Sequence, residues 1–350
     1  MRSIRETRMR WLGIVLPLLM SVAGWALPAS SQQSQSTTPL IPINIAWQPD
    51  PNAALYVAEK LGYFQQVGLA PNLLKFLAGP PMFAALGSGS VDVADLGLPP
   101  TLIGFSQGID LQVVMIVFDI SSTNVLVAKP GVKSVTDLRG KKVAAPKGST
   151  TYYGLIKALL ANRMTLADIK YLDMAPPITI PAFEHGDVDA VYIWSPWQNQ
   201  LVQKGGVRIT DNSKVGAFAP DLWAVRREWA EKNPEALGRF IRAMDMGLRT
   251  VREKPDLAIQ LVSEKLSISR EMATEIVQQI VYPTLTEQVS PDYVLSLTKG
   301  FPAGDAGVTK VLKEGGAFLK EQGLIPTVPQ MDRLINPVPA QTYVKQTYGK

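Results

Sequence analysis

Short apolar runs alternate with amphipathic stretches along most of the chain, a pattern typical of α/β layers with largely parallel strands. In a first round we predict a strand at 43–47, a helix at 53–67 that ends at Gly68, and a strand at 72–76. A second round predicts a strand at 142–145, a helix at 149–161 and a strand at 169–174. The chain is therefore predicted to contain the same α/β unit twice.

Two ten-residue segments, 85–94 and 182–191, support this internal repeat. Each contains a glycine, Gly89 or Gly186, followed shortly by a Val-Asp pair. A helix that ends on a glycine in the left-handed conformation and then leads into a new strand explains both segments. The sequence thus predicts two similar lobes.

Beyond Trp223 the composition shifts toward residues that favour helices. Asn233 is a predicted N-cap, followed by a proline at the first helical position, and this helix is expected to run toward Arg252. Further helices are predicted as far as Gln322, with the proline-rich segment 326–339 as a tail on the surface. Because no third strand-helix round appears, we expect this region to brace the first lobe.

Residues 1–31 have the features of an export signal: a basic start, an apolar run at 11–20 and small residues near the end. The run is short for a membrane span, Pro17 interrupts it, and a polar tail at 32–42 follows. The expected product is an exported, soluble periplasmic protein, with an uncleaved membrane anchor as the alternative. Since the chain has no cysteine, a lipid anchor is not expected.

Composition narrows the possible chemistry. The chain has 350 residues, 46% hydrophobic and 19% charged, which is enough for about two domains with cores. The absence of cysteine excludes disulfides, iron-sulfur clusters and thiol nucleophiles, and a single histidine, His185, excludes multi-histidine metal sites. We expect His185 to lie exposed at a helix end, and we predict no metal, no cofactor and no catalytic activity.

The net charge of +5 does not indicate a nucleic-acid partner. Residues 1–31 hold four arginines and one glutamate, that is +3, which leaves +2 for the remaining residues. The body of the chain has no basic stripe through which counterion release could drive nucleic-acid binding.

Ligands of two facing α/β lobes bind where strands end and helices begin. Residues 148–152 follow a predicted strand and open a helix, so Ser149, Thr150, Thr151 and Tyr152 offer hydroxyl and N–H donors for an anion. Ordinary N-capping explains the serine and threonines equally well. A nucleotide phosphate loop is excluded, because Lys147 precedes the glycine of this segment instead of following it.

Aromatic and acidic residues after other strands are further candidates. Trp194 ends an apolar strand, and Trp47 and Gln48 follow the first strand. Aromatic faces at a cleft can hold an alkyl chain or an ammonium group, although core packing is the plain alternative. Asp221 lies among apolar residues, where a carboxylate needs a protein cation, a helix end or a ligand amine, and turn capping is the alternative.

Two lone polar residues complete the set of candidates: Thr101 and Asn124 occur on loops that flank apolar runs. Neither position by itself indicates a particular chemistry.

Four segments, 91–97, 148–153, 186–196 and 219–223, together resemble the taurine and sulfonate branch of the solute-binding proteins of bacterial ABC importers. The wider family binds aliphatic sulfonates, nitrate and thiamine precursors. The resemblance covers nearly all of the chain after the export signal. It implies a type II periplasmic binding fold, in which two α/β lobes joined by two crossover strands close over a ligand.

This resemblance also implies domain limits. The crossover strands are expected at 125–129 and 223–226. Lobe 1 would then comprise 43–126 plus 224–350, and lobe 2 would comprise 127–223.

By position, the resemblance assigns Ser149 and Thr150 to the sulfonate, Trp194 to a face of the ligand and Asp221 to its amine. A small zwitterion such as taurine fits both poles. The chain departs from the enterobacterial type at Asn124, where that type has a glutamate. It also has prolines in the segments 79–81 and 97–100, where hydroxyl or small residues are usual.

The expected function is that of an exported monomeric receptor that binds a small sulfonate and delivers it to an ABC permease and its ATPase. Alternatives are a receptor for an alkanesulfonate, nitrate, bicarbonate or a thiamine precursor. Two alternatives belong to other functional classes. One is a sensor that signals to a membrane partner, and the other is an enzyme similar to thiamine-pyrimidine synthases. Such an enzyme would need reactive histidine or cysteine in the cleft.

Overall fold

The computed structural model describes residues 39–218 and 220–349. The predicted export signal and most of the predicted tail at 32–42 lie outside these ranges. Two mixed five-stranded sheets organise the described part of the chain. The first sheet has the order β2-β1-β3-β10-β4 and the second the order β7-β6-β8-β5-β9. The ten strands are β1 Ile41–Trp47, β2 Leu69–Lys75, β3 Val93–Gly97, β4 Leu111–Asp119, β5 Val125–Ala128, β6 Lys142–Ala145, β7 Lys170–Asp173, β8 Ala190–Ile193, β9 Val207–Asp211 and β10 Pro220–Arg226.

The two sheets have the same plan. In each, three parallel strands are followed by an antiparallel strand that enters from the other sheet: β10 lies between β3 and β4, and β5 lies between β8 and β9. This equivalence confirms the prediction of an α/β fold with two similar lobes joined by two crossings.

The crossings themselves differ in position from those expected. The chain passes from the first sheet to the second between Asp119 and Val125, and it returns between Asp211 and Pro220. The ranges 125–129 and 223–226 instead contain strand residues that are already paired within one sheet. The apolar residues in these two ranges belong to β5 and β10, each of which is the fourth strand in the order of its sheet.

The two crossing segments are hydrogen-bonded to each other. The N–H of Asn212 donates to the carbonyl of Asn124 over 3.0 Å, and the N–H of Ser213 donates to the carbonyl of Ser121 over 3.2 Å. The two connections therefore lie side by side as they leave the sheets.

Helices cover the faces of both sheets. Those of the strand-helix rounds are α1 Ala53–Lys60, α2 Tyr63–Gln66, α3 Gly79–Ser88, α4 Leu98–Ser106, α5 Thr150–Ala161, α6 Pro176–His185 and α7 Trp197–Gln203, with 3₁₀ turns at Val135–Leu138 and Leu166–Asp168. Those that follow β10 are α8 Arg227–Lys232, α9 Pro234–Glu253, α10 Pro255–Leu266, α11 Arg270–Gln279, α12 Leu285–Val289, α13 Gly307–Glu321, α14 Met331–Leu334 and α15 Val338–Tyr348.

Two equivalent helix ends agree with the internal repeat predicted from sequence. Helices α3 and α6 stop at Gly89 and Gly186, whose φ values of 76° and 81° lie in the left-handed region that glycine adopts without steric cost. The following strands, β3 and β8, occupy the same place in their sheets.

Two of the predicted elements need correction. The helix expected at 53–67 is two helices, because Gly62 adopts a φ of 67° between α1 and α2. The proline-rich segment is more than a surface tail, since α14 and α15 bury Leu334, Ala340 and Val344. In addition, Ile335 forms a bridge with Val113 of β4.

The helices after β10 brace the first lobe, as predicted, and their buried side chains share one core with the first sheet. Helix α13 also touches the second lobe: the Phe318 ring packs edge-on against Tyr153 of α5 with 5.0 Å between ring centroids. Among the described helices, none has the length and apolar character needed to cross a bilayer.

Candidate ligand-binding site

A small enclosed cavity lies between the two sheets, where loops from both lobes converge. It is lined by Gln48, Gly79, Gly97, Pro100, Ile120, Asn124, Ser149, Thr150, Trp194 and Asp221. Six of these residues were candidates from sequence: Gln48, Asn124, Ser149, Thr150, Trp194 and Asp221. The cavity volume of about 10 Å³ holds about one water molecule. A larger ligand therefore requires the lobes to stand further apart than they do here.

The N-terminus of α5 forms one wall of the cavity. Ser149 is its N-cap: the hydroxyl oxygen accepts from the N–H of Tyr152 over 3.2 Å and lies 3.0 Å from the Thr151 hydroxyl oxygen. The first N–H groups of a helix have no partner within the helix, and the helix dipole favours negative charge there. The N-cap interpretation of Ser149 is thus confirmed, and the same residue lines the cavity.

Gly97 brings the other lobe close to this wall. A Cβ atom built on Gly97 would lie 2.2 Å from Oγ1 of Thr150 and 3.1 Å from Oδ1 of Asp221. The backbone angles of Gly97, φ −60° and ψ 161°, are open to any residue. It is the close approach of the two lobes that requires glycine here.

Asn124 and Trp194 present polar atoms without protein partners. Asn124 is fully buried, and neither its amide oxygen nor its amide nitrogen makes a hydrogen bond within the described structure. The indole N–H of Trp194, which is 5% exposed, has no acceptor either. Buried polar groups are normally hydrogen-bonded, so these atoms indicate that a ligand or water satisfies them.

Asp221 is the acidic group of the cavity. It is 1% exposed, and neither carboxylate oxygen has a hydrogen bond of ordinary geometry within the described structure. Burial and the neighbouring Asp95 and Asp119 raise its pKa well above the usual value, and the nearby Gln48 side chain only partly offsets this. A buried carboxylate without a partner favours the approach of a cationic group.

Two further carboxylates, Asp50 and Asp95, lie behind Asp221. One carboxylate oxygen from each of Asp50, Asp95 and Asp221 lies within 4.8 Å of one oxygen from each of the other two, and we call the three residues the carboxylate cluster. Burial is the main cause that raises the pKa of Asp95 to about 7, against the effect of a hydrogen bond from Asn52. Burial and the other two carboxylates raise the pKa of Asp50 well above its usual value.

Four candidates from sequence do not line the cavity. The Trp47 ring packs edge-on against Tyr56 in the core of the first lobe, with 5.8 Å between centroids. Thr101 is fully buried within α4, where its hydroxyl donates to the carbonyl of Gly97 over 2.9 Å. Both side chains thus have structural contacts of their own.

The other two candidates that do not line the cavity, Thr151 and Tyr152, lie on faces of α5 that point away from it. Thr151 is fully buried beside Ser149. The Tyr152 ring packs against Tyr171 in the core of the second lobe at 5.2 Å. Because residues at successive helix positions point in different directions, the run of hydroxyl residues cannot all face one ligand.

Sequence reasoning missed Asp50 and Asp95 of the carboxylate cluster, and it did not select the lining residues Gly79, Gly97, Pro100 and Ile120 as candidates. Asp50 follows β1 and Asp95 lies on β3, within otherwise apolar surroundings. An acidic residue in the middle of the apolar segment 93–98 is a signal that could have indicated Asp95.

The cavity thus has two chemical poles. Hydroxyl, indole and helix N–H donors lie on the side of the second lobe, and carboxylates lie on the side of the first. None of the residues that line this cavity carries a positive charge. His185 is exposed at the last position of α6, as predicted, and takes no part in the cavity.

Comparison with known proteins agrees with this architecture. The taurine-binding periplasmic protein of Escherichia coli K12 is 29% identical over 289 residues, which cover 82% of this chain and 88% of the relative. The alkanesulfonate-binding protein of Xanthomonas axonopodis pv. citri, solved bound to MOPS, has a TM-score of 0.71 at 18% identity, with 85% of this chain and 99% of that chain covered.

The desulfurization enzyme DSZB also has a similar structure, with a TM-score of 0.66 at 15% identity and coverage of 87% and 99%. At such identities the likeness shows the fold alone, and it confirms the periplasmic binding protein fold. The model of the family described as NMT1/THI5 like matches residues 51–258, more than half of the chain. The chain belongs to the NMT1/THI5-like family.

Proposed function

We propose that this protein is the solute receptor of an ABC importer and captures a small sulfonate that carries an amino group, taurine first among them. The observation that carries the proposal is Asp221, whose buried carboxylate oxygens make no hydrogen bond of ordinary geometry within the described residues and share a cavity with the N-terminus of α5. The names of the relatives, taurine-binding and alkanesulfonate-binding, support the ligand class.

Charge balance favours a zwitterion over a plain anion. The sulfonate accepts from the neutral donors around Ser149 and Thr150, where the helix dipole adds roughly 0.3 to 1 kcal/mol. The ammonium group pairs with Asp221 through a charge-assisted hydrogen bond of about 1.5 to 3 kcal/mol. Nitrate, bicarbonate or a plain alkanesulfonate leaves that carboxylate unpaired.

Capture follows from a shift between an open and a closed form. The narrow cavity admits a ligand only when the lobes stand apart, and a ligand that touches both lobes then stabilises the closed form by its differential affinity. The closed surface is the one that we expect the permease to recognise. The predicted export signal and the periplasmic relative support action in the periplasm.

An enzyme with this fold is the second candidate, supported by the structural likeness to DSZB. Acid-base or nucleophilic chemistry at the cavity would have to use Ser149, Thr150 or Asp221, because the chain has no cysteine and its single histidine is not among the lining residues. In the described part of the chain, the Ser149 hydroxyl has hydrogen bonds only with the Thr151 hydroxyl and the Tyr152 N–H, and neither is a general base.

Replacing Asp221 by Asn tests the amine pole. At pH 8 we expect Asp221→Asn to weaken taurine binding about 10- to 100-fold, the loss of one charge-assisted hydrogen bond. Ethanesulfonate, which has no amine, should bind equally well or more tightly, because a buried negative charge is removed. Isothermal titration calorimetry with both ligands measures the two changes.

Asp187→Asn is the matched control, since Asp187 is exposed in the turn after α6 and undergoes the same change of charge. It should leave both affinities unchanged. Equal losses for taurine and ethanesulfonate in Asp221→Asn would contradict the assigned role.

A further inference from the structure

The carboxylate cluster gathers side chains from three neighbouring strands of the first sheet. Asp50 follows β1, Asp95 lies in β3, and Asp221 begins β10, in register with Gly97 at the end of β3. The exposed fractions of the three are 0%, 0% and 1%. Only Asp221 reaches the cavity, so the other two act through it.

Few polar groups satisfy the cluster. The Asn52 side chain donates to Oδ2 of Asp95 over 2.7 Å, and the Asn52 N–H donates to Oδ1 of Asp50 over 3.2 Å. The nearby Gln48 side chain partly offsets the rise in the pKa of Asp50 and Asp221, but Oδ2 of Asp50, Oδ1 of Asp95 and both oxygens of Asp221 make no hydrogen bond of ordinary geometry within the described residues.

The charged and titratable groups that face the cluster do not neutralise it. They are Asp119 at the end of β4, Tyr56 of α1 and Tyr282 after α11. Both phenols donate to backbone carbonyls, Tyr56 to that of Asp50 and Tyr282 to that of Pro51. Within the described residues, every charge that shifts the pKa of a cluster member is negative.

The second wall of the cavity independently indicates a ligand at this place. Asn124 and the Trp194 indole are more than nine-tenths buried, line the same cavity as Asp221, and lack partners for their polar atoms. A molecule that satisfies these atoms also contacts the exposed end of the cluster.

Three carboxylates this close together in a low-dielectric interior cannot all be ionised, because each charge disfavours the next. Burial also holds the pKa of Asp95 at about 7, so protons remain on the cluster near neutral pH. An ammonium group beside Asp221 supplies the opposite charge and allows a further carboxyl group to ionise. The proton that this carboxyl group loses passes to solvent, and the ligand keeps both its ammonium and its sulfonate charge.

We propose that Asp50 and Asp95 act with Asp221 as one acidic unit that accepts the cationic end of the ligand and releases a proton when it does so. Asp50 and Asp95 are positioning residues, since they set the charge of Asp221 without touching the ligand. This inference rests on the proposed function and adds to it a dependence of ligand selection on pH.

The expected dependence has opposite signs for the two ligand classes. The free protein holds more protons than its taurine complex, so taurine affinity rises with pH, by up to about tenfold per unit for one released proton. Ethanesulfonate adds only negative charge, so its affinity rises as pH falls. Calorimetric titrations from pH 5.5 to 8, in two buffers with different ionisation enthalpies, give both the affinity and the number of protons released.

Asp95→Asn separates this role from a structural one. The asparagine carbonyl can keep the hydrogen bond from Asn52, so we expect the variant to fold. Its taurine affinity should vary less than threefold per pH unit, with fewer protons released. Asp50→Asn should act in the same direction, and Asp187→Asn should retain the wild-type pH dependence.

The outcomes are distinguishable. Taurine binding with no pH dependence and no proton release would overturn this inference and leave the proposed function intact, whereas no taurine binding at any pH would overturn the proposed function. Thermal stabilisation by millimolar Ca²⁺ or Mg²⁺ that is lost in Asp95→Asn would assign the cluster to a divalent cation, and would overturn the inference too.

Discussion

Gly97 shows how one residue can set the distance between two halves of a protein. It ends β3 in one lobe, and the position of its missing Cβ is occupied by Thr150 of the other lobe and approached by Asp221. The Thr150 hydroxyl and the Asp221 carboxylate therefore both lie close to the Cα of Gly97, where a side chain would not fit. The absence of a side chain at Gly97 matters for the approach of the two lobes. It does not matter for the local backbone, whose angles suit any residue.

Gly97→Ala should consequently fold normally but disturb the cavity lining. We expect taurine affinity to fall about tenfold, because the added methyl group lies against Asp221 and displaces the Thr150 hydroxyl. The melting temperature without ligand should change by no more than about 2 to 4 °C, the shift that about 1 kcal/mol causes in proteins of 150–250 residues. Calorimetry and thermal unfolding measure the two effects.

Gly238→Ala is the control, because a Cβ at Gly238, on α9, has no neighbour within 4 Å. Affinity in Gly97→Ala equal to that of the wild type would show that the close approach has no role in binding.

At the scale of elements, helix α5 combines stability and recognition in its first turn. Ser149 caps the helix through the Tyr152 N–H and also lines the cavity. Thr150 extends this wall, and its carbonyl accepts from the Asn212 side chain over 3.3 Å. Changes at Ser149 should therefore alter both the stability of the helix and the binding of an anion.

Two substitutions of Ser149 separate these effects. Ser149→Ala removes the cap and should lower stability by about 1 kcal/mol, whereas Ser149→Gly should lower it by only a few tenths. Both remove the hydroxyl group, so we expect a similar loss of taurine affinity, roughly 3- to 10-fold for one neutral hydrogen bond. Thermal unfolding and calorimetry on both variants provide the comparison. Affinity losses that follow stability, variant by variant, would mean that the hydroxyl acts only as a cap.

The sequence predicts elements well where local signals are strong. The strand at Lys142–Ala145, the cap at Ser149 and the helix ends at Gly89 and Gly186 all depend on residues within a few positions of each other. The break at Gly62 was missed because the apolar pattern continues across it.

The carboxylate cluster could not be predicted in the same way. Asp50, Asp95 and Asp221 are far apart along the chain and meet only because β1, β3 and β10 are neighbours in the first sheet. Neither periodicity nor turn signals encode which strand returns from the second lobe to lie beside β3. The burial of these acids is a property of the sheet order and not of any single segment.

At the scale of the whole molecule, α13 contacts both lobes through residues that do not line the cavity. Gly315 faces Leu98 of α4 in the first lobe, and Phe318 packs against Tyr153 of the second lobe. We expect opening of the cleft to break this aromatic contact, which contributes about 0.5 to 1.5 kcal/mol beyond its buried area. The balance between the two forms thus depends partly on residues that never touch a ligand.

Phe318→Ala should therefore weaken all ligands by a common factor of about 3 to 10, because it stabilises the open form relative to the closed one. The ratio of the taurine and ethanesulfonate affinities should stay constant, and small-angle scattering of the ligand-free protein should show a larger radius of gyration. Phe318→Leu, which keeps part of the contact, should give an intermediate result. A changed affinity ratio would place Phe318 among the residues that select the ligand.

The backbone hydrogen bonds of Asn212 and Ser213 join the two connections between the sheets. We expect connections held together in this way to bend together, so that the two lobes swing along one arc. On opening, a bound molecule would then lose its contacts with one lobe all at once. We expect escape to follow one exponential phase whose rate is the rate of that swing.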